Sequence, residues 1–151
     1  MKIRQTDDIE DLRPLFERWM KQCNDKDFGL DISIEGVMQD LDWWTQTFDH
    51  VLLLAVDDAD SIVGLMAVFA IPNHMSTKSL AIEKYWFGAG GLQLYRAALS
   101  WAAENGCGRF LASASRLAGD CHDRVAALCK KLGMKHFETT FITTMQDSQG
   151  V

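Results

Sequence analysis

A glycine-rich turn is the clearest place for chemistry in this sequence. The run Gly88-Ala89-Gly90-Gly91 follows the segment Ala81–Phe87 and precedes a helix predicted from Leu92 to about Glu104. A helix N-terminus presents unpaired N–H groups and a partial positive charge, and glycines let an anion approach that backbone closely. The turn lacks the Lys and Ser or Thr of a P-loop and the spacing of a dinucleotide fingerprint. Taken alone, it is typical of a phosphate-binding turn or of an ordinary tight turn.

The cysteines do not indicate a metal centre or a disulfide framework. Cys23, Cys107, Cys121 and Cys129 form no CxxC pair and have no Cys/His ligand spacing. This pattern predicts reduced thiols in a reducing compartment.

Length and charge narrow the class of protein. The 151 residues suit one domain, 1–151, and the net charge of −6 argues against general nucleic-acid binding. Residues 1–75 hold 6 Lys and Arg against 15 Asp and Glu, whereas residues 76–151 hold 9 against 6. The acidic first half is either a solvated surface or a region that meets a cationic ligand, with an anionic ligand at the second half. An apolar run long enough for a membrane span or a signal peptide is lacking, which predicts a cytoplasmic protein without membrane contact.

The hydrophobic periodicity then places the turn within an α/β fold. A strand at residues 1–5 precedes two amphipathic helices, the first with its stripe from Ile9 to Trp19 and the second capped by Ser33. The remaining predicted elements are strands at His50–Val56, Ile62–Ile71 and Ser79–Phe87, the helix after the turn, a strand at Arg109–Ser115, a helix at His122–Leu132 and a strand at Phe137–Met145. The order β-α-α-β-β-β-α-β-α-β contains six strands and predicts a single-domain α/β fold, with a mixed sheet flanked by helices.

Alternation in the strand before the turn predicts two faces. Leu80, Ile82, Lys84 and Trp86 should share one face, and Ala81, Glu83, Tyr85 and Phe87 the other. Glu83, the only carboxylate of this strand, should therefore lie on a covered face beside two aromatic rings.

Three segments together carry a family resemblance: the loop Phe87-Gly88-Ala89-Gly90-Gly91-Leu92, the helix end Trp101-Ala102-Ala103-Glu104-Asn105-Gly106-Cys107 and the stretch Ala127-Leu128-Cys129-Lys130-Lys131-Leu132-Gly133-Met134. With these segments in this order, the chain resembles the GNAT superfamily of N-acetyltransferases over nearly its full length. The strand Ala81–Phe87 resembles phage-encoded members in particular. The resemblance implies a GNAT fold, acetyl-CoA as the cofactor, and transfer of an acetyl group to an amine acceptor.

The resemblance also implies which residues meet acetyl-CoA. It assigns pantetheine contacts to the strand backbone and pyrophosphate contacts to the glycine turn, with further contacts after the fifth strand and at the start of the last helix. The cofactor-binding residues so implied are Tyr85, Trp86, Phe87, Gly88, Ala89, Gly90, Gly91, Leu92, Ser115 and His122. Three positions depart from the family: Phe87 replaces an Arg or Gln, His122 replaces an Asn, and Cys129 replaces a Tyr.

Direct attack of an amine on a thioester needs a proton acceptor for the amine and a proton donor for the leaving thiolate. Glu83 is the candidate base, the alternative being a solvated carboxylate paired with Lys84 or Lys78. Cys129 is the candidate acid, the alternative being a small buried side chain, and Tyr95 or Tyr85 could donate instead. Trp43 and Trp44 either line an acceptor pocket or pack into the core.

We therefore predict an acetyl-CoA-dependent N-acyltransferase that acts on a primary amine of a small molecule or a protein, and leave a homodimer open. The alternative is a catalytically degenerate GNAT-like fold that serves as a protein-binding module or as a structural or accessory module of a phage.

Overall fold

Five strands form one mixed sheet in the computed structural model, which describes residues 1–23, 25–115 and 121–141. The strands are β1 (Lys2–Thr6), β2 (Asp49–Val56), β3 (Ile62–Ile71), β4 (Ser79–Gly88) and β5 (Cys107–Leu111), and the helices are α1 (Arg13–Met20), α2 (Ile34–Thr47), α3 (Gly91–Glu104) and α4 (Cys121–Lys131). The strands lie in chain order. Neighbours from β1 to β4 are antiparallel, and β5 runs parallel to β4 after the α3 crossover.

Helix starts follow the capping signals of the sequence. Ser33 accepts a hydrogen bond from the Gly36 N–H at 3.0 Å and so caps α2 as predicted. The first predicted helix is divided: Asp8 caps a short 3-10 turn, and α1 begins only at Arg13. Pro14 sits in the first turn of α1, where the N–H that proline lacks has no helical partner to lose.

The sheet separates two hydrophobic layers. The predicted stripe of the first helical region packs against α2 and one face of the sheet, through Ile9, Leu12, Leu15, Phe16 and Trp19. The other layer contains Leu94, Tyr95, Ala98 and Ala102 of α3, together with Leu132 and Met134 just beyond α4. The α1/α2 face and the α3/α4 face of the sheet are therefore distinct surroundings for the residues of β4.

The predicted alternation along β4 is wrong because the strand contains a bulge. Glu83 pairs with Val68 and Tyr85 pairs with Ala67, so Lys84 is an extra residue without a partner in β3. Ile82 therefore packs in the same layer as Tyr85 and Phe87, whereas Ala81 and Trp86 pack in the other. An inserted residue reverses the side-chain alternation on one side of it.

The end of the chain also differs from the prediction. Residues 137–141 form no strand, and Phe137 and Phe141 are 75% and 90% exposed. Thr and Phe favour strands because they fit a half-buried pleated surface, and the described part of this segment has no such surface. The rest of the predicted Phe137–Met145 strand lies outside the described residues. The predicted Arg109–Ser115 strand ends at Leu111, where its pairing with β4 ends. None of the described helices has the length and apolar character needed to cross a membrane.

Candidate active site

An opening between β4 and β5 dominates the candidate site. Their parallel ladder ends at the pair Ile82 and Leu111. Residues 83–88 continue β4 beyond that pair, and their only sheet partner in the described part of the chain is β3. The opposite edge of this segment therefore presents backbone N–H and C=O groups that need hydrogen-bonding partners. Tyr85, Trp86 and Phe87 all lie on this open stretch.

Glu83 lies where the opening begins. Its Oε2 accepts a hydrogen bond from the backbone N–H of Ser113 at 3.0 Å, which joins β4 to the chain just after β5. The side chain is half-buried. Burial raises the pKa of the Glu83 carboxyl to about 7, while the Ser113 N–H and the Lys84 ammonium act in the opposite direction. A carboxyl with a pKa near neutrality can take up and release a proton at physiological pH.

Electrostatic interactions link the three predicted catalytic residues, Glu83 with Cys129 and Cys129 with Tyr95. Burial raises the pKa of the Cys129 thiol, and the Glu83 carboxylate raises it further. Burial also raises the pKa of Tyr95, with a second contribution from Cys129. Cys129 and Tyr95 are therefore protonated at neutral pH and are suited to donate a proton. Residues that are distant in the sequence, on β4, α3 and α4, are thus brought to one place.

Tyr85 belongs to the other face of the sheet. Its hydroxyl donates a hydrogen bond of 2.6 Å to Asp40 Oδ2 on α2, and its ring meets Phe16 edge-on with centroids 4.9 Å apart. Burial and Asp40 both raise the pKa of the Tyr85 hydroxyl far above its usual range. Its proton is committed to Asp40, so Tyr85 is not placed to act as the proton donor considered above. Only its backbone borders the opening.

The glycine turn folds tightly against β3. The Ala89 N–H donates to the Val63 carbonyl at 2.9 Å, and a Cβ on Gly88 would collide with that same carbonyl oxygen. Gly88 also has a φ of 87°, a left-handed value that glycine adopts without strain. The Ala89 N–H is therefore used within the fold and is not a donor for a ligand.

The start of α3 supplies the remaining donors. Gly90 is its N-cap with a φ of 78°, and it has no side chain to accept from the first N–H groups of the helix. The N–H groups of Gly91 and Leu92 belong to that first turn and have no helical acceptor. Trp86 and Leu128 flank this turn: a Cβ on Gly91 would lie 3.5 Å from the Trp86 ring and 3.4 Å from Leu128 Cδ2. Leu128 was not among the residues predicted to meet the cofactor.

Phe87 and His122 have different surroundings. The Phe87 side chain packs against the α1/α2 layer, away from the glycine turn. His122 lies in the first turn of α4, where its Nδ1 is buried without a hydrogen-bond partner among the described residues. Its Nε2 lies 3.8 Å from Asp123 Oδ1. Ser115 follows β5 at an exposed position.

Solved acetyltransferase structures share this architecture. A putative acetyl transferase from Pyrococcus furiosus matches with a TM-score of 0.72 at 15% identity, over 95% of this chain and 99% of that chain. An aminoglycoside 6'-N-acetyltransferase from Acinetobacter haemolyticus matches with a TM-score of 0.65 at 15% identity, over 95% and 97% of the two chains. A ribosomal-protein-alanine N-acetyltransferase from Brucella melitensis gives 0.68 at 12% identity, over 96% and 100%. No family model and no curated protein matches the chain.

The TM-scores over nearly the full length of both chains establish the fold, and identities of 12–15% limit the comparison to the fold. The chain has the fold of the acetyltransferases, as its resemblance to the GNAT superfamily implied, with a sheet of five strands in the described residues.

Proposed function

We propose that this chain is an acetyl-CoA-dependent N-acyltransferase that moves an acetyl group to a primary amine by direct attack. The main support is the open edge of β4. Glu83 stands at one end of this edge, and the uncapped N-terminus of α3 follows its other end. The reaction needs a base and a site for the cofactor's phosphates. A carboxyl with a pKa near 7 can serve as the base, and a helix N-terminus can bind the anion.

Acetyl-CoA, when bound, supplies an acetyl group already activated as a thioester. The backbone groups of Tyr85, Trp86 and Phe87 along the open edge suit the amides of its pantetheine arm. The N–H groups of Gly91 and Leu92 suit its diphosphate. Because the Phe87 side chain packs into the α1/α2 layer, only the Phe87 backbone is assigned to the cofactor. The Nδ1 of His122 has no hydrogen-bond partner among the described residues, which supports a place for that residue at the same site, and Ser115 is assigned with it.

The proton transfers are assigned to the cluster on the α3/α4 face. Glu83 accepts the proton that the attacking amine must lose, directly or through a water molecule. Cys129 Sγ holds a proton for the leaving group, because burial and the Glu83 charge keep the thiol protonated. Tyr95 is the second donor, since its buried hydroxyl is also protonated at neutral pH. Acid and base thus lie within electrostatic reach of each other, as paired proton transfers require.

The thermal unfolding of the purified chain with CoA tests this function. A ligand that binds only the folded state stabilises it by RT ln(1 + [L]/Kd), or about 2.7 kcal/mol at 100 times Kd. For a domain of this size we expect the melting temperature to rise by roughly 5–10 °C. ATP serves as the control ligand, because it carries phosphates but no pantetheine arm. If millimolar CoA leaves the melting temperature unchanged, the alternative of a catalytically degenerate, protein-binding fold is favoured.

A further inference from the structure

The bulge of β4 places the ammonium group of Lys84 against a carboxylate and an indole ring of α2. Lys84 Nζ lies 3.5 Å from Asp40 Oδ2 and 4.7 Å from the centre of the Trp44 ring. The Tyr85 hydroxyl donates to the same Oδ2 at 2.6 Å and so fixes the carboxylate in place. We name this pair of α2 side chains, Asp40 and Trp44, the ammonium box.

We propose that the ammonium box is a binding subsite for an amino group of the acceptor, and that Lys84 is its resident occupant until the acceptor displaces it. This inference rests on the proposed function and specifies its substrate class. A carboxylate and an indole face are the two groups that proteins combine to hold an alkylammonium ion, through charge and through the quadrupole of the ring. The side chain of Lys84 is itself an alkylammonium, and it shows that such a group fits.

The box is open enough to exchange its occupant. The Lys84 and Asp40 side chains are 30% and 36% exposed, so their ion pair borders solvent. Because exposed ion pairs contribute little to stability, displacing Lys84 from Asp40 requires little free energy. The Trp44 ring is held from behind by Phe48 and Phe69, with centroids 5.1 and 5.2 Å away, and therefore stays in position when the lysine leaves.

The position of the box in β4 indicates the kind of acceptor. Lys84 and Glu83 are consecutive residues, with Cα atoms about 3.8 Å apart. Their side chains lie on opposite faces of the strand, at the point where its edge toward β5 becomes open. An acceptor with two amino groups would place one ammonium in the box and the other beside Glu83, at the start of the open edge, which leaves the backbone of residues 85–87 to pantetheine. The substrate class is therefore a diamine or polyamine, in place of a lone primary amine.

Calorimetric titration of the whole chain with 1,4-diaminobutane, without any CoA, tests the box. If Lys84 fills the box at least four-fifths of the time, Lys84→Met should tighten diamine binding about five-fold or more. Lys78→Met removes the same charge from an exposed position just before β4 and should leave the affinity unchanged. Adding Asp40→Asn to Lys84→Met should abolish the gain, because the amide retains an oxygen for Tyr85 but has no charge.

A second measurement uses the unaltered protein. Ring current from Trp44 should shift the Lys84 Hε protons upfield, and saturating 1,4-diaminobutane should return them toward ordinary lysine values. The inference is overturned if these protons do not move, if Lys78→Met gains affinity as much as Lys84→Met, or if the gain survives Asp40→Asn. Since no CoA is present, these outcomes are independent of the thermal test of acetyl-CoA binding.

Discussion

Glu83 and Ser113 are joined by a 3.0 Å hydrogen bond from the Ser113 N–H to the Glu83 carboxylate, across the point where β4 and β5 separate. The last paired residues of the two strands are Ile82, next to Glu83, and Leu111, two residues before Ser113. The carboxylate thus replaces the ladder hydrogen bond that the diverging strands no longer make. It is also held in a half-buried position, where its charge raises the pKa of the Cys129 thiol.

Replacing Glu83 with Gln should slow turnover while leaving cofactor affinity intact. The amide keeps an oxygen for the Ser113 N–H but cannot accept a proton from an ammonium acceptor. General-base catalysis contributes about 10²- to 10⁴-fold, so kcat should fall within that range. Steady-state kinetics with a panel of amines and a CoA titration measure the two quantities. Turnover equal to that of the parent chain would show that orientation of the reactants is the whole of catalysis.

The pH profile of the unaltered chain provides a second check on the same residue. A base must be deprotonated to act, and the Glu83 carboxyl has a pKa of about 7. With an acceptor whose own ionisation does not change over the range, kcat/KM should therefore rise with pH through about 7 and then level off. The rise should be absent in Glu83→Gln. A profile that is flat from pH 5 to 8 in the parent would remove Glu83 from the base role.

Glu83 should also make the folded state less stable as the pH rises. Its pKa is raised from 4.5 to about 7 on folding, so between these values the folded state holds more protons than the unfolded state. The free energy of unfolding then decreases across that window, by roughly 3 kcal/mol at most. Urea unfolding at several pH values should show that the free energy of unfolding of Glu83→Gln increases, relative to that of the parent chain, from pH 5 to 8. Glu104→Gln, at an exposed position near the end of α3, is the control and should follow the parent.

Cys129 and Tyr95 should share the donor role unequally. Cys129→Ala removes a donor whose pKa the Glu83 charge raises, yet the Tyr95 hydroxyl remains as a second donor, so the loss in kcat should be smaller than that of Glu83→Gln. Tyr95→Phe keeps the ring that stacks on Trp86, with centroids 6.2 Å apart, and removes only the hydroxyl. The double variant should lose more turnover than the product of the single losses, because each donor compensates for the other. A Cys129 variant without activity, beside a fully active Glu83→Gln, would move the proton chemistry to α4.

The sequence predicted correctly those parts of the site that depend on a few adjacent residues. The glycines at 88 and 90 and the helix after them were recognisable because positive φ and helix starts depend on a few adjacent residues. The two faces of β4 were assigned wrongly because the bulge at Lys84 depends on pairing with β3, which alternation within one strand does not reveal. Asp40 was missed for the same reason, since its partners Lys84 and Tyr85 reach α2 together only after the bulge.

Gly90 should be far more sensitive to substitution than Gly106, although both have a positive φ. Gly106→Ala meets no atom within 4 Å, so it should cost only the left-handed strain of about 1–2 kcal/mol. A Cβ at Gly90 would lie 2.6 Å from Met1 Sδ and 2.8 Å from Ala55 Cβ. Met1 can move, but Ala55 is buried in β2, so Gly90→Ala should cost about 1–3 kcal/mol more than Gly106→Ala. Equal free energies of unfolding would contradict the close contact with Ala55.

A charge placed in the first turn of α3 should separate cofactor binding from folding. Leu92→Glu and Leu92→Gln lose the same apolar contacts of a half-buried side chain and differ only in charge. A carboxylate near a helix N-terminus is favourable, so the Glu variant should unfold at the same or a higher urea concentration than the Gln variant. The same carboxylate would repel the diphosphate of CoA, and about 1.4 kcal/mol of repulsion corresponds to a tenfold loss of affinity. We therefore expect Leu92→Glu to bind CoA at least about ten times more weakly than Leu92→Gln at low salt, with the gap narrowing as salt is added. Equal CoA affinities in two folded variants would place the diphosphate away from the start of α3.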